Sequence, residues 1–234
     1  VSTPDTPLPP PRPGITARGL SVAGPDGIAF GPLDLRLPAG GLHVLHGPSG
    51  SGRTSLLLTL AGRFKPVAGE LDVLGAHEAR AIRGISTVAG FRDIDVLDDA
   101  VRVRDVLNEQ IAWDTQWFRR APKVDAQSYD RLCGPVFGPR PLPPLDRYIS
   151  DLAELDRMLL RIALAAFFSP QLLVVDDLEQ VRSLPEQAEL IDRLIELGQV
   201  ATVVASAINP LPAAPGLQVH HLPALGSSTT AEEV

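Results

Sequence analysis

Leu42-His43-Val44-Leu45-His46-Gly47-Pro48-Ser49-Gly50-Ser51-Gly52-Arg53-Thr54-Ser55, followed by the apolar run Leu56 to Ala61, is the stretch on which the fold turns. Its first five residues read as a short strand, glycines 47, 50 and 52 as a tight turn, and the remainder as a helix. Strand, glycine-rich turn and helix together form a phosphate cradle. The glycines let successive backbone N–H groups point inward, and the helix N-terminus adds partial positive charge. The pattern G-x-x-x-x-G-K-[ST] is met at every defined position but one, since Arg53 stands where lysine belongs. Gly47, Pro48, Ser49, Gly50, Ser51, Gly52, Arg53, Thr54 and Ser55 are thus the expected nucleotide contacts, with the Thr54 hydroxyl offered to Mg²⁺. The plainer alternative is a glycine-rich turn without a ligand.

Composition agrees with an ordinary α/β domain. The chain has 234 residues, 44% hydrophobic and 21% charged, with a formal net charge of -7. That length buries roughly 70% of the unfolded surface, so no covalent staple is needed. Cys133 is the only cysteine, which excludes an intramolecular disulfide and a cysteine-based metal cluster. The acidic balance argues against nucleic-acid binding by bulk electrostatics. No run of eighteen apolar residues occurs, so no direct membrane span is expected, and the N-terminal stretch has no signal-peptide pattern. Of 21 cations, 19 are arginines, and Lys65 and Lys123 are the only lysines.

Outward from the loop, residues 1–13 are proline-rich and expected to be a disordered arm. Ile15 to Val22 and Leu33 to Leu37 alternate like strands, and Gly69 to Val88 reads as a second β region. Residues 101–120 read as a helix, with Trp113, Trp117 and Phe118 assigned to core rather than to an exposed docking patch. Pro135 to Pro144 holds five prolines and is expected to break the chain. Leu152 to Phe168 reads as an apolar helix, Leu172 to Val175 as a buried strand ending at Asp176-Asp177, and residues 186–197 as an amphipathic helix before the strand Ala201 to Ala205. After Asn209 the tail is rich in proline and small residues, with disorder expected at 226–234. Strands alternating with helices imply an α/β fold with a largely parallel sheet.

Leu60-Ala61-Gly62, Pro66, Gly69-Glu70 and Leu74-Gly75 resemble the stretch after the phosphate loop in ATP-binding cassette (ABC) nucleotide-binding domains. Asp146-Arg147-Tyr148 to Asp151-Leu152 and Arg161 to Phe168 resemble that family's signature region, and an ungapped register then reaches Asp176. The resemblance implies a P-loop NTPase with a RecA-like core over residues 14–225, an antiparallel β subdomain, and an inserted helical subdomain at about 92–157. It implies ATP and Mg²⁺ as ligands, with Thr54 and Asp176 at the metal and Asp177 at the general-base position. It also implies a second ABC subunit, in a homo- or heterodimer, and an integral membrane partner that would keep the chain cytoplasmic at the inner face of the membrane.

Several family positions are altered. The signature Leu-Ser-Gly-Gly-Gln falls on Leu152-Ala153-Glu154-Leu155-Asp156, where the plainer reading is a buried helix with its cap. Asp177 is one methylene shorter than the family's glutamate. The Q-loop glutamine falls at Gly90, the switch histidine at Ala207, and no stacking aromatic occurs at residues 22–25. Arginine at 53 can bind phosphate but does not fit the lysine's space. Asp93, Asp95, Asp98 and Asp99 read as a solvated acidic loop. The expectation is a degenerate ABC subunit with weak or absent hydrolysis. Its alternatives are an active homodimeric ATPase and a nucleotide-free scaffold.

Overall fold

The computed structural model describes residues 14–24, 27–114, 122–211 and 213–223. The two terminal segments read as disordered, together with Pro25, Trp117 and Phe118, lie outside the described residues.

Two sheets organise the chain. In the first, β1 (Ile15–Gly24) lies between β2 (Gly27–Leu37) and a later strand, β4 (Ala68–Val73), and is antiparallel to both. The second is parallel throughout. Its members are β3 (Leu42–His46), β5 (Ser86–Ala89), β6 (Leu172–Val175), β7 (Thr202–Ala207) and β8 (Leu217–His221), in the spatial order β5-β6-β7-β3-β8. Side chains alternate across a strand, so a sheet covered on both faces needs apolar residues at every position. Leu172-Leu173-Val174-Val175 meets this demand: Leu172 and Val174 enter the core shared with the antiparallel sheet, while Leu173 and Val175 enter the core beneath the helices.

The helices are α1 (Arg53–Leu60), α2 (Ala79–Ile85), α3 (Val103–Asp114), α4 (Ala126–Phe137), α5 (Glu154–Ala166) and α6 (Leu184–Leu197). Three elements differ from the sequence expectation. The second β region read at 69–88 contains α2, which at seven residues is too short to show a helical period. The proline segment breaks the chain only after Phe137. α4 runs through Pro135, whose missing N–H falls in the last turn. The carbonyls at the end of the helix accept from Arg193 of α6, at 3.0 Å for Pro135 O and 2.9 Å for Val136 O. Finally, the proline-rich stretch beyond Asn209 contains β8, a sheet strand.

Trp113 is 79% exposed, so its assignment to the core is corrected. It lies near the end of α3, beyond the turn of Val103 and Leu107 that is buried. Among the described residues no helix is long and apolar enough to cross a membrane.

Candidate nucleotide-binding site

Parallel strands in register end together. Ala89, Val175 and Ala205 are paired across β5, β6 and β7, which sets Gly90, Asp176 and Ser206 side by side at the carboxyl rim. β3 reaches the same rim, where Gly47 N–H donates to Ala207 O at 3.3 Å. Ligands of open α/β sheets bind at this rim.

The loop after β3 turns into α1 through glycines that must be glycines. Gly50 and Gly52 have φ of 79° and 78°, in the left-handed region. A Cβ on Gly52 would lie 2.3 Å from Ala29 O, so β2 also crowds this turn. Ser51 Oγ is buried without a partner, an orphan group in the wall of the cradle. This orphan, the inward-turning glycines and the start of α1 fit a phosphate group. Arg53 departs from such a fit, because its guanidinium folds back and donates to the carbonyls of Gly47 and, at 2.9 Å, Pro48.

Thr54 and Asp176, 122 residues apart in sequence, meet at the rim. The Thr54 hydroxyl donates to Asp176 Oδ2 at 2.8 Å, and Ser206 donates to Oδ1 at 2.6 Å. Asp176 is only 7% exposed. Burial pushes its carboxyl above the usual range, the bonds from Ser206 and Thr54 draw it back, neighbouring Asp177 raises it and Arg53 lowers it. A hydroxyl and a carboxylate in contact are hard oxygen donors of the kind Mg²⁺ takes. The ion, if bound, would supply charge neutralisation for phosphate oxygens.

Asp177 follows with φ of 58°, and its N–H donates to Ser206 Oγ at 2.9 Å. Its carboxylate faces Arg92 at 2.9 Å. Ser206 and Arg92 were both missed by sequence reasoning. Ser206 is a hydroxyl near the end of a mostly apolar strand, which is a weak signal, and Arg92 carries no local signal at all.

The altered positions have structural causes. Gly90 has φ of 85°, and a Cβ there would lie 2.4 Å from Asp176 O, so this backbone has no room for a glutamine. In the turn after it Asp93, Asp98 and Asp99 are exposed, as a solvated acidic loop requires, but Asp95 is turned inward, which corrects the reading of that residue. Asp95 accepts from Gly90 N–H at 2.9 Å and Phe91 N–H at 2.7 Å, and is gripped by Arg161. Asp99 faces Arg157 at 3.3 Å. The two acids at the signature position are neutralised within the chain. Glu154 accepts from Arg182 N–H at 2.9 Å and faces its guanidinium, while Asp156 meets Arg140 Nε at 2.5 Å. Ala207, at the switch position, precedes two backbone N–H groups, of Ile208 and Asn209, that donate to Glu179 Oε1.

A phosphate loop at the rim of a parallel sheet, with its threonine against an acidic strand end, defines a P-loop NTPase. The sequence model of the ABC transporter family matches residues 30–179, and the chain belongs to that family. It is similar to the molybdenum import ATP-binding protein ModC of Vibrio cholerae, at 29% identity over 174 residues, covering 71% of this chain and 44% of that one. It is also similar to the cytochrome c biogenesis ATP-binding export protein CcmA of Pseudomonas putida, at 31% identity over 111 residues, covering 44% of this chain and 52% of that one. The chain therefore spans about half the length, or less, of these curated relatives. Among solved structures, cbiO1 of Clostridium perfringens, part of the ABC transporter complex cbiONQ, shares the fold with a TM-score of 0.65 at 15% identity, over 83% of this chain and 78% of that one.

Proposed function

We propose that this chain is the ATP-binding subunit of a membrane-associated transport complex, that it binds Mg-ATP weakly, and that it hydrolyses it slowly or not at all. The observation that carries the reading is the meeting of Thr54 and Asp176 beside the glycine loop, with Arg53 folded onto that loop's own carbonyls. Residues Gly47 to Ser55 cradle the phosphates, Thr54 and Asp176 hold Mg²⁺, and Asp177 is the remaining base. The domain spans about 14–225, with a helical subdomain at about 92–157. Turnover is low because Arg53 bonds to the loop, Gly90 stands in place of the Q-loop glutamine, and Ala207 removes the switch histidine.

A second, more complete ABC subunit is the expected partner. It would offer its own signature motif to the Arg53 loop, whereas the Glu154 face of this chain forms the weaker half of the pair. An integral membrane protein selects the cargo and keeps the chain at the cytoplasmic face. The names of the relatives, one import and one export ATP-binding protein, support transport without choosing a direction.

Calorimetric titration with Mg-ATP tests this reading. Binding weaker than about 10 μM, lost in Thr54→Ala, is expected, with little turnover. Turnover equal to that of an ordinary transport ATPase and abolished by Thr54→Ala would overturn the slow-hydrolysis reading, and absence of any Mg-ATP binding would favour a scaffold.

A further inference from the structure

Arg92 and Asp177 follow neighbouring strands of the parallel sheet, β5 and β6, and Arg92 is not one of the family's motif positions. Asp177 is held on its own side by the backbone. Its left-handed φ of 58° and the bond from its N–H to Ser206 Oγ set the direction of its side chain. Arg92 is held through the turn that carries it. Arg161, 8% exposed, donates to both oxygens of Asp95 at 2.7 and 2.8 Å, to Phe91 O at 2.8 Å and to Gln180 Oε1 at 2.9 Å. Gln180 in turn donates to Gly90 O at 2.6 Å and Asp176 O at 3.2 Å. The turn from Gly90 to Asp95 is thus fastened to α5 on one side and to the end of β6 on the other. The Arg92 side chain, 76% exposed, is the one free joint between that clamp and the carboxylate.

We propose that Arg92 is a latch on Asp177: in the nucleotide-free chain its guanidinium engages one oxygen of the carboxylate, and this contact holds down whatever hydrolysis the site supports. The proposal rests on the nucleotide-binding reading above. In hydrolysis the oxygen of water bonds to the terminal phosphorus, the bond from phosphorus to the bridging oxygen breaks, ADP leaves, and the proton of the water needs an acceptor. In that reading Asp176 is committed to Mg²⁺, and its oxygens already accept from Thr54 and Ser206, which leaves Asp177 as the neighbouring carboxylate for that task. Asp177 Oδ2 is the oxygen that Arg92 takes. While the pair persists, water must compete with a charged donor for this oxygen. Arg92 is accordingly a positioning residue, acting through Asp177 and not on substrate. Largely exposed ion pairs are weak, so releasing this one is expected to raise the rate about two- to fivefold and no more.

The test compares the full chain with Arg92→Gln, Arg92→Lys, Asp177→Asn and the double variant Arg92→Gln/Asp177→Asn. Mg-ATP affinity is measured by calorimetry and hydrolysis by single-turnover assay. The latch predicts that Arg92→Gln raises the rate at saturating Mg-ATP about two- to fivefold with affinity unchanged, that Arg92→Lys stays near the parent, and that the double variant falls to the level of Asp177→Asn. A rate in Arg92→Gln equal to or below the parent overturns it, as does a gain that survives in the double variant. Intact binding with an unchanged rate removes the latch alone. Failure of the parent chain to bind Mg-ATP removes the nucleotide reading and the latch with it.

Discussion

Asp176 shows what a single residue gives up to stand at the rim. Burial raises its carboxyl above the usual carboxylate range, and the hydroxyls of Ser206 and Thr54 only partly reverse this. A carboxyl raised in the folded state binds its proton more tightly there than in the unfolded chain. Its ionised form therefore weighs against the fold at neutral pH, and the cost grows as pH rises through the normal carboxylate range. Asp176→Asn keeps the shape, removes the charge and leaves the two hydroxyls free to rotate to the amide. We expect the substitution to stabilise the nucleotide-free protein by on the order of 1 kcal/mol, a rise in Tm of about 2–4 °C for a domain of this size, and to remove Mg-dependent nucleotide binding. Thermal melts and calorimetry of the same preparation check both halves, and a lowered Tm would contradict the first. Asp176 was legible as a site residue because an apolar run ending in an acidic pair is a local pattern. Its partners Ser206 and Thr54 lie 30 and 122 residues away, and that arrangement is not.

At the scale of elements, β8 is the part that sequence reasoning lost. Its five residues, Leu217 to His221, follow a proline-rich stretch and alternate poorly, yet they complete the parallel sheet beside β3. Two histidine pairs span this seam. His43 Nδ1 lies 3.2 Å from His220 Nε2, and His46 Nδ1 lies 3.1 Å from His221 Nδ1. Burial lowers the pKa of His43, against the pull of the Gly40 and Pro38 carbonyls, and it lowers that of His220, with His43 and His221 adding repulsion. Folded values below the unfolded one mean that the neutral rings favour the fold. Their contribution is complete above the unfolded pKa of about 6.5 and is lost as pH falls from there through the folded values. Melting temperatures between pH 7.5 and 5 are expected to fall by about 2–4 °C more in the parent than in His220→Gln. Equal slopes for the two proteins would show that the seam does not titrate. α4 was lost for a similar reason: Pro135 reads locally as a break, while the Arg193 guanidinium that caps the last carbonyls of this helix comes from α6.

For the whole molecule, the question is what one chain can do alone. Its phosphate loop keeps the glycines and Thr54, but its signature face offers neither serine nor paired glycines, and Glu154 and Asp156 are tied to Arg182 and Arg140. A second copy of this chain would therefore close poorly over a bound nucleotide. The expected outcome in light scattering is a monomer at saturating Mg-ATP, with a stable dimer only when a complete ABC subunit is added. A nucleotide-dependent doubling of mass in the pure chain would instead support the homodimeric ATPase. The two apolar cores, one on each face of the parallel sheet, take in few of the altered positions, and those few (Val22, Leu155 and Ala207) are themselves apolar. This is why the fold persists where the chemistry has changed.

By itself the sequence determined the class of fold, the phosphate loop, the acidic strand end and the substitution of Arg53. These are runs of adjacent residues whose periodicity and backbone demands act over a few positions. Only the tertiary structure decided what those residues touch: Arg53 the loop carbonyls, Asp177 the Arg92 guanidinium, Gly90 the backbone of Asp176. Such contacts depend on the order of strands in the sheet, and the physical reason they stay hidden is that hydrogen bonds and ion pairs act over about 3 Å in space, whatever the distance along the chain.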